Sequence, residues 1–224
     1  MTSKMARAIA APNQSYFLLG PRGTGKSTWL RQQYPGAKFV DLLAPSEFGR
    51  YQANPQHLIQ LVRAVPNQQT IVIDEVQKVP QLLDAVHLLM EEDKGRRFIL
   101  TGSSARKLRR GGVDLLAGRA IMRQMHPFMA CELGNTFDLQ DALHLGMVPL
   151  VRDAVDPAQT LRGYVGLYLR EEVQQEALVR RLSAFSRFLE QLSLSHGSQL
   201  NISSVGRDAQ VGRKAAEGYL NIVE

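Results

Sequence analysis

The run Gly20-Pro21-Arg22-Gly23-Thr24-Gly25-Lys26-Ser27 fits the pattern G-x-x-x-x-G-K-[ST] at each of its fixed positions. A phosphate chain requires that spacing. Glycines let successive N–H groups turn toward one anion, and side chains at those places would block its approach. A helix beginning near Lys26 would add its positive N-terminal end. On this reading Gly20, Pro21, Arg22, Gly23, Thr24, Gly25, Lys26, Ser27 and Thr28 cradle a nucleotide's phosphates. Lys26 reaches the β- and γ-phosphates, and the Ser27 hydroxyl ligates Mg²⁺. The bland alternative is a chance glycine turn. The apolar run Tyr16–Leu19 before the loop and the unbroken stretch Thr28–Gln33 after it supply the strand-loop-helix context that the motif needs.

A second group of reactive side chains follows. Ile71-Val72-Ile73-Asp74-Glu75 is an apolar strand that ends in two adjacent carboxylates. In open α/β sheets that end of a strand faces the ligand. Asp74 would hold Mg²⁺ as the acid of a Walker B segment does, leaving Glu75 to orient and deprotonate an attacking water. A water-activating glutamate suits hydrolysis better than transfer to a small acceptor. Phe98–Thr101 forms a third strand candidate, closed by the polar turn Gly102-Ser103-Ser104. Hydroxyls of Thr101 and Ser103 are placed to contact the γ-phosphate or the water, with a plain helix cap as the alternative for Ser103.

The elements that must carry these residues alternate along the chain. Short apolar strands are expected at Tyr16–Leu19, Lys38–Leu42, Thr70–Asp74, Arg97–Thr101 and Ala120–Met122. Between them lie helical stretches, three of them opened by Pro45, Pro55 and Pro80 at first-turn positions. Such alternation predicts an α/β fold with a mostly parallel sheet covered on both faces. Trp29, one turn into the first helix, is expected to pack on that sheet and not to stack on a base. After about Pro127 the pattern becomes helical, most clearly at Leu161–Arg180 and Ala184–Leu194. The expected division is residues 1–130 for the phosphate-loop core, 131–196 for a helical linker or lid, and 197–224 for a terminal helical segment.

Composition excludes several other classes. The 224 residues are 44% hydrophobic and 21% charged, which is ordinary globular composition. With 27 Lys and Arg against 21 Asp and Glu, the net charge of +6 favours a polyanionic partner, nucleotide or nucleic acid. The single cysteine, Cys131, rules out a disulfide framework and an all-cysteine metal site, and is expected to be a small core residue. The five histidines lack metal-ligand spacing. No segment approaches the roughly 20 apolar residues that a membrane helix needs. A cytoplasmic protein without a membrane partner is the default.

With the loop, the acidic pair and the polar third strand in place, the chain resembles a prokaryotic AAA-type P-loop ATPase family that carries a C-terminal domain of unknown function. Phe17–Ser27, Ile73–Pro80 and Leu100–Leu108 carry the resemblance, and Leu116–Ala120 and Tyr168–Val173 fit as well. The resemblance implies ATP as ligand and a five-stranded core in which an extra strand separates the loop-bearing strand from the acidic one. It also places Arg119 where such proteins keep an arginine finger, a cation that stabilises the transferring phosphoryl group, often across a subunit contact in a homo-oligomer. A surface arginine in a basic stretch with Arg106, Lys107, Arg109 and Arg110 is the alternative.

Near the end, Ser203–Ala209 and Val211–Leu220 resemble the two helices of a helix-turn-helix, in which Arg213 and Lys214 would meet base edges. The usual turn glycine is Gln210 here, and Gly218 weakens the second helix by about 1 kcal/mol against alanine. A packing module is thus favoured over a DNA reader. Because such relatives continue further, the chain reads as truncated, and Tyr219, Leu220 and Ile222 are expected to be exposed. The resulting expectation is Mg-dependent, slow ATP hydrolysis serving as a conformational switch; the alternatives are an ATP-gated DNA-binding regulator and an idle truncated remnant.

Overall fold

The computed structural model describes residues 6–103, 108, 116–167 and 182–223. The runs of β-branched, aromatic and other apolar residues in the sequence become five short strands: β1 (Tyr16–Leu19), β2 (Lys38–Asp41), β3 (Ile71–Asp74), β4 (Phe98–Gly102) and β5 (Ile121–Gln124). They pair in the order β2-β3-β4-β1-β5, and every pairing is parallel. β4 therefore lies between the loop-bearing β1 and the acidic β3, as the family resemblance implies. The sheet is flanked by α1 (Lys26–Gln33), α2 (Pro45–Ala53), α3 (His57–Arg63) and α4 (Leu82–Glu92).

Alternation along the strands sorts side chains onto two faces. Phe17, Leu19, Ile71, Ile73, Phe98 and Leu100 point to one face, where Leu58, Leu82, Val86 and Leu89 of α3 and α4 complete a buried cluster. Tyr16, Leu18, Val72 and Ile99 point to the other and pack on Trp29 and Leu30 of α1. Trp29 is 4% exposed, so it belongs to the sheet as expected. Each such large side chain contributes about 1.5–3 kcal/mol by leaving water. The strand ends that carry the polar residues are thereby held on a rigid base.

By contact the chain divides into Met1–Pro157 and Ala158–Glu224. The first unit keeps the short helices Ala130–Leu133, Leu139–Leu145 and Pro149–Arg152 with the sheet. Cys131 is exposed there, contrary to the expectation of a core residue. In its one-turn helix Leu133 takes the inward position instead, at 4% exposure.

In the second unit the described helices are Pro157–Leu167, whose first residue lies at the boundary, Leu182–Ser193, Ile202–Asp208 and Arg213–Val223. Phe185, Phe188, Val205, Ala209 and Ala216 form its core. Tyr219, Leu220 and Ile222 pack against this core, which corrects the expectation that they are exposed. The ring of Tyr219 stands edge-on to Phe185 and Phe188, with centroids 5.2 and 5.5 Å apart. Gly206 lets the last two helices cross closely, since a Cβ there would lie 3.1 Å from that of Ala216. Gln210 takes the left-handed conformation, with φ of 56°, at the position where the turn glycine was sought. Tyr168–Val173 and the basic positions Arg106, Lys107, Arg109 and Arg110 lie outside the described residues.

Candidate functional site

β1 ends at Leu19, and the chain bends at once. A Cβ on Gly20 would lie 2.1 Å from the carbonyl oxygen of Met125, so no other residue fits between the ends of β4 and β5. The Gly20 N–H donates to the carbonyl of Gly102 at 3.2 Å, anchoring the loop to β4. At the far end Gly25 precedes α1 with φ of 85°, a conformation that a side chain rarely adopts. A Cβ on Gly25 would meet nothing within 4 Å, so the loop leaves open space at the amino end of the helix. An anion of phosphate size fits the chemistry of that place.

Inside the loop, Lys26 is 5% exposed, and its Nζ donates to the carbonyls of Gly20 at 2.7 Å and Pro21 at 3.1 Å. The ammonium is thus drawn across the bend instead of extending into solvent. Thr24 is fully buried and its hydroxyl donates to the Pro21 carbonyl at 2.9 Å, so its side chain braces the loop. Pro21, Arg22 and Thr28 are exposed, Ser27 is half-buried at the start of α1, and Gly23 packs against Leu150.

Two contacts on the outside of the loop have no counterpart in its sequence motif. Arg7 donates to the Thr24 carbonyl at 2.8 Å while its Nε pairs with Glu132 at 3.0 Å. Burial pushes the Glu132 carboxyl up, but N–H bonds from Ala8 and Met129 and the charge of Arg7 outweigh it, so the group lies below its ordinary value. The Leu150 N–H donates to the Gly23 carbonyl at 3.2 Å. These partners are distant in sequence and carry no motif, so only the folded chain identifies them.

The acidic pair sits two strands away at the same carboxyl edge of the sheet. Asp74 shares the parity of Val72, which places it on the face covered by α1, the helix that begins with Lys26 and Ser27. It is 1% exposed, and one of its oxygens accepts from the Thr101 hydroxyl. The same hydroxyl oxygen accepts the Glu75 N–H at 2.9 Å. Thr101 is fully buried and spent on these bonds. Its hydroxyl holds the acidic pair, which corrects the expectation that it contacts phosphate or water.

Glu75 has φ of 61° and ψ of 47°. A left-handed glutamate costs on the order of 1–3 kcal/mol and persists only where its surroundings enforce it. Here the bond from Glu75 N–H to Thr101 does so, and Gln77 Nε2 donates to the Glu75 carboxylate. Ser103, at the end of β4, has a buried hydroxyl without a hydrogen-bond partner. It therefore stands at the same edge as the acidic pair, with its bonding capacity unspent.

Arg119 lies elsewhere. It precedes β5, whose Ile121 pairs with Tyr16 at the start of β1, so it occupies the opposite edge of the sheet from the loop. From Tyr16 to Gly20 the strand alone spans about 13 Å at ~3.3 Å per residue. Its side chain pairs with Glu91 of α4 at 2.5 Å. Within one chain the structure does not bring it to the other site residues.

Among the described residues no group of three or more His, Cys, Asp and Glu side chains could hold a metal ion by itself. A cation at this edge would need oxygens beyond the protein carboxylates, such as the Ser27 hydroxyl and phosphate oxygens. The donor set of Ser27 and Asp74 suits a hard cation of the Mg²⁺ type. Among the described residues no helix is long and apolar enough to cross a membrane.

No curated protein matches the chain. Among solved structures, the Thermotoga maritima RuvB Holliday junction branch migration motor aligns over 94% of this chain and 80% of its own, at 14% identity and a TM-score of 0.40. The family model for an AAA domain matches residues 12–134, and one for a domain of unknown function (DUF8612) matches residues 136–224. With a matched AAA segment that contains the glycine loop after β1, the acidic pair and all five parallel strands, the chain belongs to the AAA domain family.

Proposed function

We propose that the protein binds Mg·ATP at the loop Gly20–Thr28 and hydrolyses it slowly, using the cycle as a conformational switch. The observation that carries this reading is the juxtaposition at one sheet edge of an open glycine cradle and a carboxylate pair fixed by Thr101. Backbone N–H groups of the loop and Lys26 would hold the phosphates. Ser27 and Asp74 would hold Mg²⁺, which when bound supplies charge neutralisation on the phosphate oxygens. Glu75 takes a proton from water as the water oxygen bonds to the γ-phosphorus and the bond to the β-phosphate oxygen breaks, releasing ADP and phosphate. Ser103 supplies a hydroxyl to the γ-phosphate or the water.

Arg119 acts on the phosphoryl group of a neighbouring copy in a homo-oligomer, because its position at the far edge keeps it from its own. Equilibrium binding of labelled ATP with Mg²⁺ tests the central claim. Binding that is lost in Lys26→Ala, with Glu75→Gln retaining ATP but not turning it over, is the expected result. Wild-type protein that binds no ATP overturns it.

A second reading concerns the C-terminal unit. Arg213 and Lys214 are exposed at the start of the last helix, just after the left-handed turn at Gln210. This is the placement from which a recognition helix meets DNA. Arg213 also pairs with Glu217 at 2.9 Å, which favours a solvated helix face in a packing module. Salt-dependent duplex binding that disappears in Arg213→Ala/Lys214→Ala supports DNA; no binding at low salt supports packing.

A further inference from the structure

The Glu75 carboxylate is only an acceptor, so the amide group facing it must present its nitrogen, as Gln77 does. That fixes the other end of the amide. Gln77 Oε1 is buried and has no hydrogen-bond partner. A buried carbonyl-type oxygen left without a donor is costly, and native proteins rarely keep one without a reason. Its location is defined by Gly102, where a Cβ would lie 2.9 Å from that oxygen. Gly102 is the last residue of β4, next to Ser103, whose hydroxyl is also buried without a hydrogen-bond partner. Glu75 itself is tied through its N–H to Thr101. The unsatisfied acceptor therefore stands beside the carboxylate proposed to take the proton, and its missing partner is a donor.

From this geometry we infer that Gln77 is a positioning residue for hydrolysis: its Nε2 fixes the Glu75 carboxylate, and its Oε1 accepts a hydrogen bond from the attacking water. Water has two protons to donate. One goes to Glu75 and is transferred as the oxygen bonds to phosphorus, while the other stays on the oxygen and is held by Gln77. With both protons directed, the oxygen lone pair is aimed at the γ-phosphorus. The absence of a side chain at Gly102 gives the amide its room.

The inference rests on the ATP-hydrolysis reading, and the experiment separates their failures. Turnover and Mg·ATP affinity are measured for the wild-type chain, Gln77→Ala, Gln77→Met and Gly102→Ala. Methionine keeps the length of the side chain without its hydrogen bonds. The Gly102→Ala backbone is unstrained, and its Cβ displaces the amide. The expected result is a fall in kcat of about 10- to 100-fold in all three variants, below the full effect of losing a general base. Nucleotide Kd should remain within about twofold of wild type, since no phosphate-holding group changes. Wild-type turnover persisting in Gln77→Ala, or full activity in Gln77→Met, overturns the inference and leaves the ATP reading standing. Should Gln77→Ala fold poorly, Gly102→Ala decides the same question. A wild-type chain that neither binds nor hydrolyses ATP removes both.

Discussion

Replacing Thr101 with valine removes one hydroxyl and almost no volume, and it tests the arrangement that fixes the acidic pair. The hydroxyl donates to Asp74 and accepts from the Glu75 N–H, and both it and Asp74 are essentially out of water. A hydrogen bond to a charged group contributes about 1.5–3 kcal/mol, and a neutral one about 1 kcal/mol. The loss should therefore total about 2.5–4 kcal/mol, and it includes the penalty of leaving a buried carboxylate oxygen short of a donor. For a unit of this size that corresponds to a fall in Tm of roughly 5–15 °C, read as thermal unfolding of the transition assigned to Met1–Pro157. Thr101→Ser, which keeps the hydroxyl and loses one methyl, should cost only about 1 kcal/mol. A double-mutant cycle of Thr101→Val with Asp74→Ala should show a coupling of about 1–3 kcal/mol. Additive effects in that cycle, or a Thr101→Val loss no larger than that of Thr101→Ser, would refute the account of Thr101 as the brace.

Two further outcomes follow from contacts at the loop and at the far edge of the sheet. Glu132 is held below its ordinary value near 4.5, so its contribution to stability is complete above that pH and is lost as pH falls through the lower folded value; Glu132→Gln should flatten this acid limb in a series of thermal melts from pH 6 downward. An unchanged acid limb would mean that the Arg7–Glu132 pair does not brace the Thr24 carbonyl. Arg119→Ala should leave Mg·ATP affinity near wild type while lowering turnover, and mixing it with Lys26→Ala subunits that keep Arg119 should restore part of the rate. Turnover that ignores both Arg119→Ala and the mixing would remove the intersubunit role.

The sequence by itself determined the loop, the acidic pair and the parallel α/β layout. Each depends on short-range rules: a glycine spacing, a strand of β-branched residues, and alternation of apolar strands with helices. The family resemblance implied one strand between the loop-bearing and the acidic strands, and β4 indeed separates β1 from β3; the full order came from the structure alone. What the sequence misjudged depends on which partner a side chain finds at long range. Cys131 is exposed because Leu133 takes the inward position of its short helix, and Tyr219 is sheltered because Phe185 and Phe188 come to meet it. Thr101 carried a hydroxyl at the right edge, yet only the parallel pairing of β3 with β4 turned that hydroxyl onto Asp74 and away from a ligand. Arg7, Glu132 and Leu150 reach the loop from distant parts of the chain, and Arg119 is directed away from it. A motif encodes backbone conformation locally, whereas a hydrogen-bond partner is chosen by the packing of the whole sheet.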